Sequence, residues 1–392
     1  MVSVVYDIES LSNLFTYTGF IRKDKTYVQY VIHRTRNDYQ ELIDHLKTEG
    51  LIQIGYNNLS YDYPVLHHLL NHYGEYKHFT GEDLACKIYE KSQQIISMDY
   101  SVIADKNTLI KQIDLFKLHG FDNTARLTSL KSLEFAMNME SIEDMPLHHS
   151  AWCKGSDIQM VLDYNLNDVE ATNKFLDITL GKTDNTMYKG KNKLELRLKL
   201  EHKFGIPCVN KPDIKIGESL ISKIYSQKSG IPEYVLKRDG GTARGIIKLK
   251  DCIPHWATFK SKEFNDIKSR FESKYITELK GEFNESVVYH GIKMDYGTGG
   301  LHSSCKPGVY EAGLDDNGEE WIIYDQDIGS LYPSLAITLK FYPEHLGSLF
   351  NEIYDRDIVS VRLAEKAKPK KDRDNVIMEG YKLSANSIKY LN

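Results

Sequence analysis

Two carboxylates near the start of the chain have the spacing to hold a divalent cation. Asp7 and Glu9 follow the apolar, β-branched stretch of residues 2–6, which predicts a strand that ends beside them. Side chains at positions i and i+2 of a strand point to the same side, so both carboxylates can face one site. Acidic pairs at strand ends are common and usually solvated, so this pair alone does not identify a metal centre.

A second polar group follows the predicted strand at residues 51–54, in the run Asn57-Asn58-Leu59-Ser60-Tyr61-Asp62. Asp62 can supply a third carboxylate, and the Asn57 amide can donate a hydrogen bond to a phosphate or a base. The alternative is structural, because an Asp two residues before Pro64 is a normal helix cap.

A third pair lies in the long helical pattern of residues 156–180. Tyr164 and Asp168 are four residues apart, which places the phenol and the carboxylate on one face of a helix about one turn apart. Taken alone, this spacing is also compatible with an ordinary surface pair.

The three groups occur in the order Asp-x-Glu, Asn-x4-Asp and Tyr-x3-Asp. As a set they resemble the three exonuclease motifs of the DEDDy 3′–5′ exonucleases, which include the proofreading nucleases of family B DNA polymerases. The resemblance implies that Tyr164 orients the attacking water and that Asn57 helps to hold a single-stranded 3′ end. It also implies that two Mg²⁺ or Mn²⁺ ions, which prefer oxygen ligands, are bound by four carboxylates: Asp7, Glu9, Asp62 and Asp168.

A second resemblance lies near residue 330. The run Asp327-Ile328-Gly329-Ser330-Leu331-Tyr332-Pro333-Ser334 matches motif A of family B polymerases, Asp-x-x-Ser-Leu-Tyr-Pro-Ser, at every defined position. The match implies that Asp327 binds a catalytic metal, and the spacing to Ser-Leu-Tyr favours it over Asp325. The backbone from Ile328 to Tyr332, which includes Ser330 and Leu331, would cradle the incoming triphosphate. Tyr332 would lie under the deoxyribose and exclude a 2′-hydroxyl.

The last residues resemble the start of motif B, Lys-x3-Asn-Ser-x-Tyr-Gly. Lys382 and Asn386 would share a helix face, with the ammonium toward the triphosphate and the amide near the nascent base pair. The match ends after Ile388, and motif C with its paired aspartates does not follow. We therefore expect no polymerisation by this chain alone. A second polypeptide that carries the rest of the palm and the thumb is an expected partner.

The elements that must position these residues alternate between strand and helix, which predicts an α/β fold. The long helix is expected to be broken near Asn165. Strands are predicted at residues 2–6, 25–33, 51–54, 109–115 and 321–327, and helices at residues 38–47, 62–72, 156–180, 349–368 and 374–391.

The resemblance gives these elements a domain organisation. Residues 1–182 are expected to form an RNase H-like exonuclease domain, a mixed sheet flanked by helices. Residues 183–300 would connect it to an incomplete α+β palm with helical fingers at residues 301–392. A length of 392 residues agrees with two or three domains.

Composition sets broad limits on the class of protein. The chain is 41% hydrophobic and 27% charged, with a net charge of −5, which neither indicates nor excludes a nucleic-acid partner. No apolar run is long enough to cross a bilayer. Five widely spaced cysteines favour neither a disulfide framework nor a zinc site, and they fit a reducing cytoplasm, that of the host if the protein is viral.

Three functions therefore compete. The favoured one is a metal-dependent 3′–5′ exonuclease on DNA, with a single-stranded 3′ end or a primer-template as partner and nucleotides bound only weakly or in the complete enzyme. The second is a non-catalytic fragment of a split or interrupted polymerase that binds DNA or a partner chain. The third is a free-standing DEDDy ribonuclease, which would have no use for motifs A and B.

Overall fold

The computed structural model describes residues 2–98, 101–123, 126–238, 245–277, 284–297 and 300–387. Packing divides the chain into two compact units: the first unit, Met1–Leu236 with Leu349–Leu391, and the second unit, Lys237–Ser348. Packing into one unit does not identify a functional domain, so the predicted ranges 1–182, 183–300 and 301–392 stay predictions.

The first unit contains a six-stranded mixed sheet in the order β4-β3-β2-β1-β5-β6. Strands β1 to β4 form an antiparallel meander, whereas β5 runs parallel to β1 and β6 runs parallel to β5. The strands are β1 (Val2–Leu11), β2 (Leu14–Ile21), β3 (Thr26–His33), β4 (Arg36–Asn37), β5 (Leu51–Gly55) and β6 (Lys111–Asp114). The predicted α/β class is confirmed in this form, a mixed sheet flanked by helices.

Seven helices accompany the sheet: α1 (Tyr39–Leu46), α2 (Asp62–Asn71), α3 (Tyr73–Tyr76), α4 (Gly81–Ile96), α5 (Leu115–His119), α6 (Leu130–Ala136) and α7 (Ile158–Thr179). The alternation of β1 decides which of them meets which face. Tyr6 packs in the core that includes residues of α1, α2 and α4. Val5, its neighbour, packs instead with Val169 and Phe175 of α7. The odd-numbered positions of β1 therefore face α7.

Helix α7 is continuous over 22 residues, so the predicted break near Asn165 was wrong. An Asn inside a helix weakens it when its side chain competes for backbone hydrogen bonds. Here the Asn165 amide instead donates to Asp7 on β1, and the residue is fully buried. A tertiary hydrogen bond thus holds in the helix a residue that local propensity disfavours.

After a linking segment come α8 (Lys193–Phe204), α9 (Asp213–Ser229) and α10 (Glu233–Arg238), and then most of the second unit. Its three-stranded sheet has the order β11-β10-β9 and is antiparallel. These strands are β9 (Asn284–Tyr289), β10 (Ile292–Gly297) and β11 (Gly300–Ser304). The other elements are β7 (Ile247–Lys248), α11 (Leu249–Cys252), α12 (Lys262–Glu272), β8 (Tyr275–Ile276), β12 (Gly313–Leu314), β13 (Glu320–Trp321) and α13 (Leu331–Thr338).

The strand predicted at residues 321–327 was wrong beyond its first residue. Strand β13 ends at Trp321, and residues 322–328 have no regular structure. A strand requires a neighbouring strand to satisfy its backbone, and within the described part of the chain none pairs with this segment. The apolar side chains of Ile322, Ile323 and Tyr324 are consequently exposed.

The chain returns to the first unit with α14 (Leu349–Ile353), a π-helical turn (Tyr354–Val359), α15 (Ser360–Ala367) and α16 (Asn375–Ser387). Helix α16 packs against α8, α9 and α15. Two glycines allow close approach, because a Cβ at Gly217 of α9 would lie 2.1 Å from the Ser387 Oγ, and one at Gly380 of α16 would lie 2.5 Å from the Phe204 ring. Across the described residues, no helix is both long and apolar enough to traverse a membrane.

We predict that Gly217→Ala lowers the free energy of unfolding by about 1–3 kcal/mol, since the added methyl group must separate α9 from α16. Besides Ser387 Oγ, the carbonyl oxygen of Leu383 would lie only 2.4 Å from that methyl group. Gly74→Ala is the matched control, because it lies in α3 with no atom within 4 Å of its Cβ position. It should stabilise by roughly 0.4–1 kcal/mol. Urea unfolding of both variants measures this, and equal effects of the two substitutions would contradict the close packing.

Candidate metal centre

Three acidic side chains from two elements meet on the α7 side of the sheet. Asp7 and Glu9 lie on β1 and Asp168 lies on α7, and one carboxylate oxygen from each is within 4.8 Å of the other two. All three are half-buried. Among the described residues they form the one group of three potential metal ligands of this kind. Oxygen atoms at such separations can share a cation that binds its ligands at about 2.0–2.6 Å.

The packing of β1 against α7 brings these groups together. Asp7 and Glu9 have the same parity as Val5, whose side chain packs with Val169 of α7. Val169 directly follows Asp168 in the sequence, so the apolar contact fixes the position of the acidic residue beside it. The spacing Asp-x-Glu on the strand and the buried face of the helix thus converge on one point.

Asp62 lies close enough to influence the same group. It is buried and begins α2, and Tyr61 occupies the N-cap position without a side-chain cap hydrogen bond, so the interpretation of Asp62 as the helix cap was wrong. Burial raises the pKa of its carboxyl, and the backbone N–H groups of Asp62 itself and of Ile8 offset part of that rise. Its charge in turn raises the pKa values of Asp7 and Glu9.

Burial and mutual repulsion together disfavour the ionised form of the four carboxyl groups. Burial is the first cause in each case, and neighbouring carboxylates add to it. The pKa of Glu9 is raised to about 8, and those of Asp62 and Asp168 to about 7. The pKa of Asp7 is raised well above its ordinary value. A set of oxygen donors that repel one another fits a divalent cation such as Mg²⁺ or Mn²⁺, whose charge relieves the repulsion.

Two α7 residues contact this carboxylate group. The phenol of Tyr164 is buried, and its interaction with Asp168 offsets part of the rise in pKa that burial causes in that carboxyl. Burial and the charge of Asp168 raise the pKa of Tyr164, so the hydroxyl stays protonated and remains a donor. The Asn165 Nδ2 donates to Asp7 Oδ2 over 2.6 Å. The sequence prediction missed this role of Asn165, although a polar residue on the buried face of the helix was a usable signal.

Asn57 lies in a loop that one buried carboxylate organises. Asn57 adopts a left-handed conformation (φ 59°), which Asn tolerates better than most residues. Asp114, at the end of β6, accepts hydrogen bonds from the backbone N–H groups of Asn57 at 3.0 Å and Leu59 at 3.1 Å. It also accepts from those of Phe116 and Lys117, where it caps α5. Sequence reasoning did not single out Asp114, whose signal was an acidic residue in an apolar strand.

The residues of the motif A resemblance lie in the second unit. Asp327 is exposed in the irregular segment, and Ser330, with a left-handed φ of 58°, precedes α13. Leu331 and Tyr332 form the first turn of α13. Tyr332 lies near the start of β11, because a Cβ on Gly300 would be 3.8 Å from its hydroxyl.

The residues of the motif B resemblance lie in the first unit. Lys382 and Asn386 are both exposed on α16, one turn apart, and the Lys382 ammonium pairs with Glu379 at 3.1 Å. The two polymerase-like sets therefore belong to different compact units. Asp327 takes part in no cluster of three potential ligands within the part of the chain that the structure describes.

Comparison with known proteins adds no identification. No protein-family model matches the chain, and no curated protein is significantly similar to it. The chemistry of the site therefore has to be inferred from its own geometry and from the spacing of its motifs.

We predict that the metal-free protein loses stability as pH rises from about 4 to about 8. Raised pKa values mean that the folded state retains protons which the unfolded state releases near pH 4, so the stabilisation is lost as pH passes the folded values near 7 and 8. Mg²⁺ or Mn²⁺ should raise the melting temperature strongly at pH 8 and weakly at pH 5, where protons compete for the same oxygens. Scanning calorimetry measures both.

The double variant Asp7→Asn/Asp168→Asn serves as the control for this pH dependence. Its melting temperature should depend less on pH, and added cation should have little effect on it. If the double variant retained the wild-type slope, the pH dependence would come from other groups.

We predict that Asp114→Ala lowers the free energy of unfolding by about 3 kcal/mol or more. The substitution leaves four backbone N–H groups without their acceptor, each at a cost of about 1–3 kcal/mol when it stays buried. The free energy of unfolding of Asp114→Asn, which retains one acceptor oxygen, should lie between those of the wild type and Asp114→Ala. Asp105→Ala, at an exposed position, should change stability by less than about 0.5 kcal/mol. A loss below 1 kcal/mol in urea unfolding of Asp114→Ala would refute this role.

Proposed function

We propose that this chain is a metal-dependent 3′–5′ exonuclease acting on DNA, and that it is the N-terminal part of a polymerase of the family B type. The observation that carries the proposal is the convergence of Asp7, Glu9 and Asp168, with Asp62 beside them. These four positions are the ones that the spacing of the three motifs selects. A surface pair or a helix cap would not require them to converge.

The architecture supports the same proposal. An antiparallel meander continued by two parallel strands, with acidic residues on the central strand and a helix across them, is what an RNase H-like exonuclease domain requires. The helical and strand elements after residue 183 would then be the connecting region, the incomplete palm and the fingers of the polymerase.

The carboxylates of the site would hold two Mg²⁺ or Mn²⁺ ions, which would neutralise the attacking and leaving oxygens of an in-line phosphodiester displacement. Asn165 holds Asp7 in place through its 2.6 Å hydrogen bond. Tyr164, whose hydroxyl remains protonated at neutral pH, would orient the water that attacks. Asn57 lies in the loop that Asp114 holds through backbone hydrogen bonds, and its side-chain amide would bind the unpaired 3′ end of the strand.

Nucleotide addition is proposed only for a complete enzyme. Asp327 would bind a metal there, with Ser330, Leu331 and Tyr332 at the triphosphate and sugar, and with Lys382 and Asn386 on α16. Since Asp327 is exposed and lacks an acidic cluster among the described residues, the activity expected of this chain itself is the exonuclease. The dNTP would bind it weakly.

A second candidate function is binding of a separate C-terminal polymerase polypeptide. The exposed apolar side chains around motif A favour it, because a complete palm would cover them. They are Ile322, Ile323, Tyr324, Leu331 and Leu335. Failure of a separately expressed C-terminal half to co-purify with this chain would argue against this candidate.

We predict that the wild-type chain shortens a 5′-labelled single-stranded oligonucleotide from its 3′ end in the presence of Mg²⁺ or Mn²⁺. The Asp7→Ala/Glu9→Ala variant should lose the activity by at least about 10³-fold, because two carboxylates of the cation site are removed. Denaturing gel electrophoresis of time points measures the rate. A chelator should abolish the wild-type activity.

Asp163→Ala/Glu170→Ala is the matched control, since both residues are exposed acidic positions on α7. It should digest DNA at the wild-type rate. Equal digestion by Asp7→Ala/Glu9→Ala and wild type would show that the nuclease site lies elsewhere. Absence of digestion by folded wild-type protein would favour the partner-binding candidate.

A further inference from the structure

Helix α6 brings two charged side chains to the metal centre that the three motifs do not contain. Lys131 and Glu134 are three residues apart and share one face of α6, and α6 packs against α7. The Lys131 ammonium lies 5.3 Å from the ring centroid of Tyr164. Asp168 lies one turn farther along α7 than Tyr164. After burial, the charge of Glu134 is the largest cause of the raised pKa of Asp168.

Glu134 has an unusual environment for a carboxylate. It is fully buried, and among the described residues no N–H or hydroxyl group donates to either of its oxygens. The one described neighbour that can donate is the Asp168 carboxyl while it is protonated, and a cation bound by Asp168 would displace that proton. A buried carboxylate without donors is strongly disfavoured unless a cation or a water molecule completes its surroundings. The Lys131 ammonium supplies part of the compensation, although its 3.5 Å ion pair is with the exposed Asp144.

Its position suggests what the missing partner is. The carboxylate lies beside Asp168, yet it is not among the three groups close enough to share one cation directly. Mg²⁺ usually retains several of its waters in protein sites, and carboxylates outside the ligand shell commonly accept hydrogen bonds from such waters or from the ligands. A buried carboxylate that lies beside Asp168 but outside the group of three ligands fits that outer position.

We propose that Glu134 is a positioning residue of the metal centre, accepting hydrogen bonds from water bound to the cation that Asp168 holds, with Lys131 as its counter-charge. The proposal rests on the proposed metal site and extends it by a fifth carboxylate. Glu134 fixes Asp168 and strengthens the binding of that cation. It contacts neither the scissile phosphate nor the attacking water.

The test is Mn²⁺ binding to the full chain at pH 8 in the absence of DNA, measured by calorimetric titration. Glu134→Gln should weaken one of the two Mn²⁺ sites by about 10–100-fold, the range typical of lost outer-shell carboxylates, and leave the other nearly unchanged. Glu134→Asp should recover part of the affinity, because it keeps the charge. Glu140→Gln, at an exposed position, is the matched control and should bind as the wild type does.

A purely structural role gives a different result. Gln fills the same space as Glu, so a packing role would leave Mn²⁺ binding intact. If Glu134→Gln bound both Mn²⁺ ions with wild-type affinity, the proposal would be overturned. Thermal unfolding without metal shows whether Glu134→Gln folds. If it does not, the Mn²⁺ affinities of Glu134→Asp decide: one weakened site supports the proposal, and two wild-type affinities overturn it.

The DNA digestion assay separates this proposal from the proposed function. Wild type that binds two Mn²⁺ ions but leaves DNA intact would refute the exonuclease, and a weakened site in Glu134→Gln would still support the role of Glu134. Active wild type together with unchanged binding in Glu134→Gln would refute the role of Glu134 alone. If wild type bound no Mn²⁺, both would fall.

Discussion

Repulsion among buried carboxylates is the constraint on which the described site depends. Asp7, Glu9 and Asp168 lie within 4.8 Å of one another at their closest oxygens, and Asp62 adds its charge to the group. In surroundings that exclude much of the water, such a cluster is stable only with protons or cations bound. The site therefore lowers the stability of the metal-free fold, and a divalent cation can complete it. Such a destabilised site is typical of metal-dependent catalysts.

The surrounding structure holds the cluster in spite of that repulsion. Strand β1 pairs with β2 through Asp7 and Glu9 and with β5 through residues 2–5, which restrains the backbone that carries the charges. Beneath it, on the opposite face, the Tyr6 hydroxyl donates to Gln112, which in turn donates to Gln53. These buried polar contacts join β1, β5 and β6 across the sheet. Asp114 then fixes the loop after β5 through four backbone N–H groups.

The residues of the motif A and motif B resemblances have different surroundings. Lys382 and Asn386 lie on α16, which packs closely on α8 and α9 at Gly380 and Gly217. Asp327 and Tyr332 lie in the second unit, which has short strands and exposed apolar side chains. The residues of the candidate metal centre, in contrast, all lie in the first unit.

The sequence by itself determined the α/β class, the long helix and the motif spacings, because hydrophobic periodicity and residue spacing are local properties. From these the positions of Asp7, Glu9, Asp62 and Asp168 could be selected in advance. Only the tertiary structure decided that Asn165 stays helical, that Asp114 holds the Asn57 loop and that Glu134 is buried beside Asp168. Each of these depends on a partner far away in sequence, and no local pattern encodes such a contact.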